Sequence, residues 1–272
     1  MLHDLLECRR CAHSVRSPFM EKIVIVMPTY NESSCISEMI ETLMKVTFPN
    51  VKADMHLLIV DDSSPDGTGQ IVKDKMSLYP NLHLLTGKKE GLGWAYVRGH
   101  IHAMKELHAD AVIEMDADFQ HDPVYITGMV QRFQAGFDYV IGSRYAEGGG
   151  VPATWPWQRK LFSSLGNRLA RFVLKTRGIR DLTTGFRLTR VKGILDQIAL
   201  NKLMELNRFA FKLDLLYRTI CLSRRVCELP IQFQNRAGGE TKFSLQEVMA
   251  TLRVLAALRL KKPPQWTANE EK

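Results

Sequence analysis

Apolar and polar residues follow two patterns along the chain, one typical of buried strands and one typical of helices. Short apolar runs rich in β-branched residues predict strands at 21–27, 55–60, 82–85, 111–115 and 139–142. Apolar residues at helical spacing predict helices that begin near Ser33, span 68–78 and lie within 91–107. Strands that alternate with helices favour a doubly wound, Rossmann-like α/β sheet that is mostly parallel and flanked by helices.

The pattern changes after the glycines at 148–150, where it becomes helical and basic. It predicts a C-terminal helical elaboration there and no second core. We therefore interpret residues 21–244 as one α/β domain, residues 1–20 as a loose N-terminal extension, and residues 245–272 as an amphipathic helix and tail.

The predicted C-terminal helix carries an apolar stripe, formed by Leu245, Val248, Met249, Leu252, Leu255, Ala256 and Leu258. Four basic residues crowd the end of this stripe. Either the helix packs on the core and its basic end complements its dipole, or it lies in a membrane interface with its basic residues on anionic headgroups. In the first case we expect the membrane contact at 151–171, a segment that mixes aromatic and basic residues.

Composition narrows the class of protein. The chain has 272 residues, of which 45% are hydrophobic and 24% charged, as in ordinary globular proteins. No stretch approaches the roughly 18 apolar residues of a spanning helix, and residues 1–20 lack the apolar core of a signal peptide. The five cysteines include one C-x-x-C pair, Cys8 and Cys11, without a second pair at zinc-site spacing. These features predict a cytoplasmic protein with reduced thiols.

Charge is distributed unevenly between the two halves of the chain. Residues 1–150 carry 14 Lys+Arg and 20 Asp+Glu (14 − 20 = −6), and residues 151–272 carry 23 and 9 (23 − 9 = +14). A basic half is typical of proteins that bind phosphate-bearing substrates, anionic membranes or nucleic acid. Nucleic acid is disfavoured, because the acidic clusters of the other half would repel a phosphate backbone unless a metal intervened.

Polar clusters follow three predicted strands, at 28–32, 61–66 and 116–120. In open α/β sheets, ligands bind beyond the carboxyl ends of the strands. Asp116 and Asp118 alternate on an extended segment, so both carboxylates should point to one face, and Gln120 continues the alternation. Oxygen ligands of this kind suit Mg²⁺ or Mn²⁺. Such a cation would neutralise the charge of a departing diphosphate.

The other two clusters suggest a nucleoside site. Tyr30 could pack on a base, Glu32 could accept a hydrogen bond from a ribose, and one carboxylate of the pair Asp61 and Asp62 could accept from the base or ribose. Asp, Ser, Pro and Gly at 61–67 are equally compatible with simple turn chemistry.

The motifs together carry a family resemblance. In order, they are PTYNE at 28–32, VDDSSPDGT at 60–68, GLGWA at 91–95, MDADFQH at 115–121, GSRY at 142–145 and DLTTGFR at 181–187. From about residue 21 to 244, the chain resembles the family 2 glycosyltransferases of GT-A fold, and within them the dolichyl-phosphate (polyprenyl-phosphate) mannose synthases. The resemblance implies a β-mannosyltransferase that moves mannose from GDP-mannose to a polyprenyl phosphate at the cytoplasmic face of a membrane. It leaves open whether a small membrane-bound subunit is a partner.

The resemblance also implies a role for each matching residue. The nucleoside would be held by Pro28, Tyr30, Glu32 and Asp61. The metal would be surrounded by Asp116, Asp118 and Gln120, and Asp118 would be catalytic together with Arg144 and Arg159. Phosphate groups of donor or acceptor would contact Arg144, Arg159 and Ser163. The site would be closed by Arg236 and Lys242, which also belong to the donor-binding set.

A lipid phosphate acceptor bears on the mechanism. A phosphate monoester is already largely ionised near neutral pH, because its second pKa is about 6. The reaction then needs positioning and charge neutralisation rather than a general base, and we expect direct in-line attack with inversion. Two alternatives remain: another donor, such as UDP-glucose or an aminosugar nucleotide, or a sugar-1-phosphate nucleotidyltransferase. The latter needs a Gly-rich basic loop where residues 28–32 stand.

Overall fold

The computed structural model describes residues 20–176, 178–235 and 245–260. These residues form seven strands: β1 (Lys22–Thr29), β2 (Asp54–Asp61), β3 (Leu82–Thr86), β4 (Ala111–Glu114), β5 (Tyr139–Ser143), β6 (Arg187–Arg190) and β7 (Val226–Pro230). The predictions for residues 1–19, for Arg236 and Lys242, and for the tail after residue 260 lie outside the described residues.

The same residues form seven α-helices: α1 (Ile36–Glu41), α2 (Thr68–Met76), α3 (Leu92–Lys105), α4 (Tyr125–Gln134), α5 (Trp157–Leu174), α6 (Phe211–Leu222) and α7 (Leu245–Leu260). A π-helical turn, Thr42–Thr47, continues α1. Short 3-10 turns lie at Phe48–Asn50, Leu195–Gln197 and Leu200–Lys202.

All seven described strands join one sheet, in the order β3-β2-β1-β4-β6-β5-β7. The strand pairs β1–β2, β1–β4, β2–β3 and β5–β7 are parallel, and β6 runs antiparallel to both of its neighbours. In the central register, Ile25 pairs with Leu57 on one side and with Ile113 on the other. The expected doubly wound, mostly parallel α/β domain is confirmed.

Two strands lie in the part of the chain for which the sequence predicts only helices. β6 reads RLTR, and its Arg187 is fully buried. A search for apolar runs misses this strand because two of its four residues are arginines. Arg187 can be buried because its guanidinium donates to the Lys212 carbonyl at 2.7 Å. The helical pattern after residue 150 therefore did not reveal β6 and β7, which lie among the helices of that part of the chain.

Helices cover both faces of the sheet. Alternate residues of β1 point to opposite sides: Ile25 packs with α1 and α4, and Val26 packs with α3 and α6. Gly99 lets α3 approach the sheet closely, since an added Cβ there would lie 2.9 Å from a Val60 methyl group. This close approach positions α3 beside the end of β4.

A third apolar cluster joins β5 to α5, α6 and α7. In α7, Ala250, Val254, Leu255 and Leu258 are at most 5% exposed within it, whereas Met249 and Leu252 are 53% and 41% exposed. The geometry of α7 matches the first of the two interpretations, a helix packed on the core, and its buried stripe is displaced from the one the spacing predicts. The cluster includes Tyr139 and Ile141 of β5, so these helices pack on the sheet of the same domain.

Candidate active site at the carboxyl edge of the sheet

A cavity of about 300 Å³ lies beyond the carboxyl ends of β1, β2 and β4. Its wall combines residues from these strand ends with the start of α3 and the turn before α6. The lining residues are Pro28, Thr29, Tyr30, Glu32, Asp62, Lys89, Gly91, Leu92, Ala95, Asp116, Ala117, Asp118, Gln120 and Phe209. The volume suits a small organic ligand, and the position is the one at which open α/β sheets bind ligands.

The acidic end of the cavity is formed by Asp116, Asp118 and Gln120, all of which line it. These residues lie on a loop after β4. The predicted alternation along an extended segment is therefore not what brings them together; the conformation of the loop does so. The Gln120 backbone N–H donates to Asp118 Oδ1 at 3.1 Å. Asp118 is 5% exposed, and its carboxylate is thereby fixed at the cavity wall.

The backbone is bent in the same unusual way after each of the three strands. Asn31, Ser63 and Phe119 have φ of 60°, 54° and 60°, in the left-handed region. This conformation costs a residue with a Cβ roughly 1 kcal/mol or more. Strain of this kind clusters at binding sites, where it aims side chains at a ligand.

Other residues of the cavity wall are suited to a nucleoside. Lys89 Nζ lies 3.4 Å from the centre of the Tyr30 ring, which is 37% exposed. Glu32 lines the cavity beside it. An aromatic face, a cation and a carboxylate are available here for base, phosphate and ribose, respectively.

The two adjacent aspartates have different surroundings. Asp61 does not line the cavity; its carboxylate accepts hydrogen bonds from the Thr29 hydroxyl at 3.0 Å and from the Ser64 backbone N–H at 3.0 Å. Asp62 lines the cavity and forms an ion pair with Arg98. Burial raises the pKa of Asp62, and the Arg98 charge opposes that rise. Sequence alone does not distinguish two adjacent aspartates; the distinction arises in the structure, where β2 ends at Asp61 and Asp62 follows it.

The three predicted phosphate-binding residues lie together, outside the cavity lining. Arg144 is held by Asp181, whose carboxylate accepts from Nε and Nη2 at 2.8 Å each. The Arg159 guanidinium stacks 3.6 Å from the centre of the Trp155 ring. Burial and the positive charge of Arg144 lower the pKa of Arg159, because the two guanidinium groups are close enough to interact.

The third predicted residue, Ser163, accepts a hydrogen bond from the Tyr145 hydroxyl at 2.7 Å. Arg144 also lies 5.6 Å from the Tyr145 ring. Ser163 and Arg159 lie on α5, and Arg144 directly follows β5. The sequence thus identified residues that do come together, but it did not indicate that Arg144 is already bound by a buried carboxylate.

An aromatic chain connects these basic residues to the acidic end of the cavity. His121 stacks on Phe186 at 5.1 Å and meets the edge of Phe233 at 5.3 Å, and Phe233 in turn meets Trp155 at 5.8 Å. His121 Nδ1 lies 3.9 Å from Asp116 Oδ2. Burial lowers the pKa of His121 to about 4, so the ring is neutral near pH 7.

The residues at the acidic end fit a divalent cation. They offer two carboxylates and one amide, an all-oxygen set that suits Mg²⁺ or Mn²⁺. In the described part of the chain, no three His, Cys, Asp or Glu side chains converge on a common metal position. A cation held by one or two carboxylates plus substrate phosphates requires no such cluster.

The residues at this edge of a doubly wound sheet are compatible with a divalent metal and a nucleotide. The family model for glycosyl transferase family 2 matches residues 24–196. The chain is 34% identical over 226 residues to the polyprenol monophosphomannose synthase of Mycolicibacterium smegmatis, covering 82% of each chain. It is 34% identical over 224 residues to the undecaprenyl-phosphate mannosyltransferase of Micrococcus luteus, covering 82% of this chain and 88% of that one. The chain belongs to glycosyl transferase family 2 and is a glycosyltransferase.

The fold is shared with solved glycosyltransferases. The glucosyl-3-phosphoglycerate synthase of Mycobacterium tuberculosis, solved in complex with Mn²⁺ and UDP, superposes with a TM-score of 0.59 at 16% identity, covering 88% of this chain and 78% of that one. This similarity establishes the GT-A architecture. The resemblance found from the motifs is thereby confirmed for the family and the fold.

Proposed function

We propose that this enzyme transfers mannose from GDP-mannose to a dolichyl or other polyprenyl phosphate, with inversion at the anomeric carbon. The observation that carries the proposal is the cavity itself, whose wall combines nucleoside-type groups with Asp116, Asp118 and Gln120. Both sequence relatives described above are named as mannosyltransferases of polyprenyl phosphates or as synthases of their products. Their similarity over most of the chain supports the same substrate classes here.

At the donor end, we assign the base contact to Asp62 in place of Asp61. Asp62 lines the cavity, whereas the Asp61 carboxylate is engaged by Thr29 and Ser64. Guanine offers two neighbouring N–H donors on its Watson–Crick edge. Asp62 Oδ1 accepts from Arg98, and the carboxylate has further lone pairs to accept from the base. Pro28, Tyr30 and Glu32 complete the nucleoside end. Lys89 is added to the donor set, because it lines the same wall and its charge suits a diphosphate.

Asp116, Asp118 and Gln120 would hold Mg²⁺ or Mn²⁺. When bound, the cation neutralises the diphosphate leaving group. The protein's own contribution is to fix these oxygens in advance through the loop after β4. Arg236 and Lys242, outside the described residues, stay in the proposed donor set as residues that close over the site.

At the acceptor end, Arg144, Arg159 and Ser163 would bind the lipid phosphate. Asp181 fixes the Arg144 guanidinium in a two-pronged ion pair, and Arg159 lies beside it on α5. The phosphate oxygen is already anionic near neutral pH, so no side chain has to remove a proton. The enzyme's task is to hold that oxygen in line with the anomeric carbon.

The membrane contact is best supported on α5. No helix in the described residues is long and apolar enough to cross a bilayer. Along one side of α5, every third or fourth residue is apolar and exposed: Trp157 at 69%, Leu161 at 46%, Leu165 at 46%, Leu169 at 44% and Phe172 at 83%. An exposed apolar stripe with flanking arginines and lysines suits a helix lying in the membrane interface. Since Arg159 and Ser163 share this helix, the lipid phosphate would enter beside the surface that touches the membrane.

The proposal is tested by incubating the purified protein with a polyprenyl phosphate, Mg²⁺ or Mn²⁺, and one nucleotide-sugar at a time. Transfer of label into the organic phase should occur with GDP-mannose, and a polyprenol without phosphate should not accept it. Transfer from UDP-glucose but not from GDP-mannose would establish the alternative donor. A second arm adds membranes, which would supply any membrane-bound partner subunit.

A further inference from the structure

A buried polar group lies directly behind the acidic end of the cavity. The Tyr96 hydroxyl, on α3, donates a hydrogen bond to Asp116 Oδ1 at 2.9 Å. Lys212 Nζ, on α6, lies 3.9 Å from the same oxygen. Tyr96 and Lys212 are each 1% exposed, whereas the Asp116 side chain is 32% exposed. Asp116 is therefore the member of this group that reaches the cavity.

The buried lysine is costly for the fold. Lys212 Nζ lies 3.7 Å from Glu114 Oε2, 4.1 Å from the centre of the Tyr96 ring and 3.4 Å from the Gly185 carbonyl oxygen, to which it donates. Removing a cation and carboxylates from water carries a penalty that apolar side chains of similar volume would avoid. Buried apolar residues of α3 and α6 pack around this group, and a well-packed apolar side chain in place of Lys212 would avoid the penalty.

The tyrosine ring and the tyrosine hydroxyl have separate roles. The Tyr96 ring packs on Phe211 at 5.9 Å and on His100 at 5.8 Å. A phenylalanine would keep these contacts. The hydroxyl adds the hydrogen bond to Asp116, and its effect can be measured separately from that of the ring.

We propose that Tyr96 is a positioning residue of the metal site, whose hydroxyl, with Lys212 beside it, fixes the orientation of the Asp116 carboxylate before a cation arrives. The proposal rests on the function proposed above only in assigning Asp116 to the cation. Groups that orient a metal ligand from behind typically contribute 10–100-fold to metal affinity. Without such a hydrogen bond, the carboxylate rotates about its side-chain torsions, and part of the metal affinity is lost because the ligand must be ordered on binding.

The test is Mn²⁺ binding, followed by the electron paramagnetic resonance signal of free Mn²⁺, with GDP and separately with UDP present. Tyr96→Phe should weaken Mn²⁺ binding about 10-fold with either nucleotide, while the thermal midpoint stays close to that of the wild type. Tyr139→Phe is the matched control. Tyr139 is fully buried in β5, and no hydrogen bond joins its hydroxyl to Asp116, Asp118 or Gln120. Lys212 is a poorer target, because its removal leaves Glu114 buried without its cation.

Wild-type Mn²⁺ affinity in Tyr96→Phe would overturn the proposal, as would an equal loss in Tyr139→Phe. The readout does not depend on mannose transfer. A wild-type protein that binds Mn²⁺ with nucleotide but transfers no mannose would refute the proposed function and leave this inference standing.

Discussion

The exposed side of α5 allows a quantitative test of membrane binding. Phe172 is 83% exposed near the end of that helix. Full burial of a phenylalanine side chain is favourable by about 1.5–3 kcal/mol. If most of this ring enters the acyl boundary, Phe172→Ser should weaken binding to vesicles by about 2 kcal/mol, which corresponds to roughly 30-fold in the partition constant. The substitution removes no buried contact, so folding should be unaffected.

The assay is co-sedimentation with vesicles that contain anionic lipid, at increasing salt. Leu78→Ser is the matched control, because Leu78 is 67% exposed and lies just before β3, at the edge of the sheet far from α5. Wild type and Leu78→Ser should bind alike, and binding should weaken with salt as the basic residues of α5 are screened. Equal binding by Phe172→Ser, or an equal loss in Leu78→Ser, would refute α5 as the membrane contact.

Three further predictions concern the ion pair, the acceptor and pH. Asp181→Asn should destabilise the fold by about 3 kcal/mol in urea unfolding, because it leaves Arg144 buried without its carboxylate; an unchanged midpoint would contradict this. Arg159→Ala should raise KM for polyprenyl phosphate and leave KM for the donor unchanged, and the reverse pattern would remove Arg159 from the acceptor site. Burial lowers the pKa of His100 to about 3, so between pH 6.5 and 3 the unfolded state binds the extra proton. The free energy of unfolding should therefore decrease as the pH is lowered through this window, by about 1.4 kcal/mol per pH unit for this residue. His100→Phe should flatten this slope, measured by urea unfolding.

The fold was predictable where the chain obeys simple periodicities. β1 and β2 are mostly apolar, and their ends in the structure lie within one or two residues of the predicted ends. β6 was not predictable in this way, because its arginines are paired by tertiary contacts that the local sequence does not reveal. The burial of α7 was left open for the same reason: spacing identifies an apolar stripe but not what covers it.

The candidate site was likewise predictable in part from the sequence. Motif positions identified Asp116, Asp118, Gln120 and the strand ends that line the cavity. The difference between Asp61 and Asp62 depends on where β2 ends, which sequence reasoning determines only to within a few residues.

Tyr96 was missed for a further reason. It immediately follows the GLGWA motif, but a tyrosine on an apolar helix face is indistinguishable from a core residue until its hydroxyl is seen to contact Asp116. Lys212, on α6, is separated from Asp116 by almost a hundred positions in the sequence, so only the tertiary structure brings them together.

The most direct test of the central claim is the rate at which purified protein transfers mannose from GDP-mannose into a polyprenyl phosphate, measured with and without a chelator. The account predicts transfer that EDTA abolishes and that Asp118→Ala lowers by at least ~100-fold, the scale of losing a main electrostatic contributor. Undiminished transfer by Asp118→Ala in the presence of EDTA would contradict it.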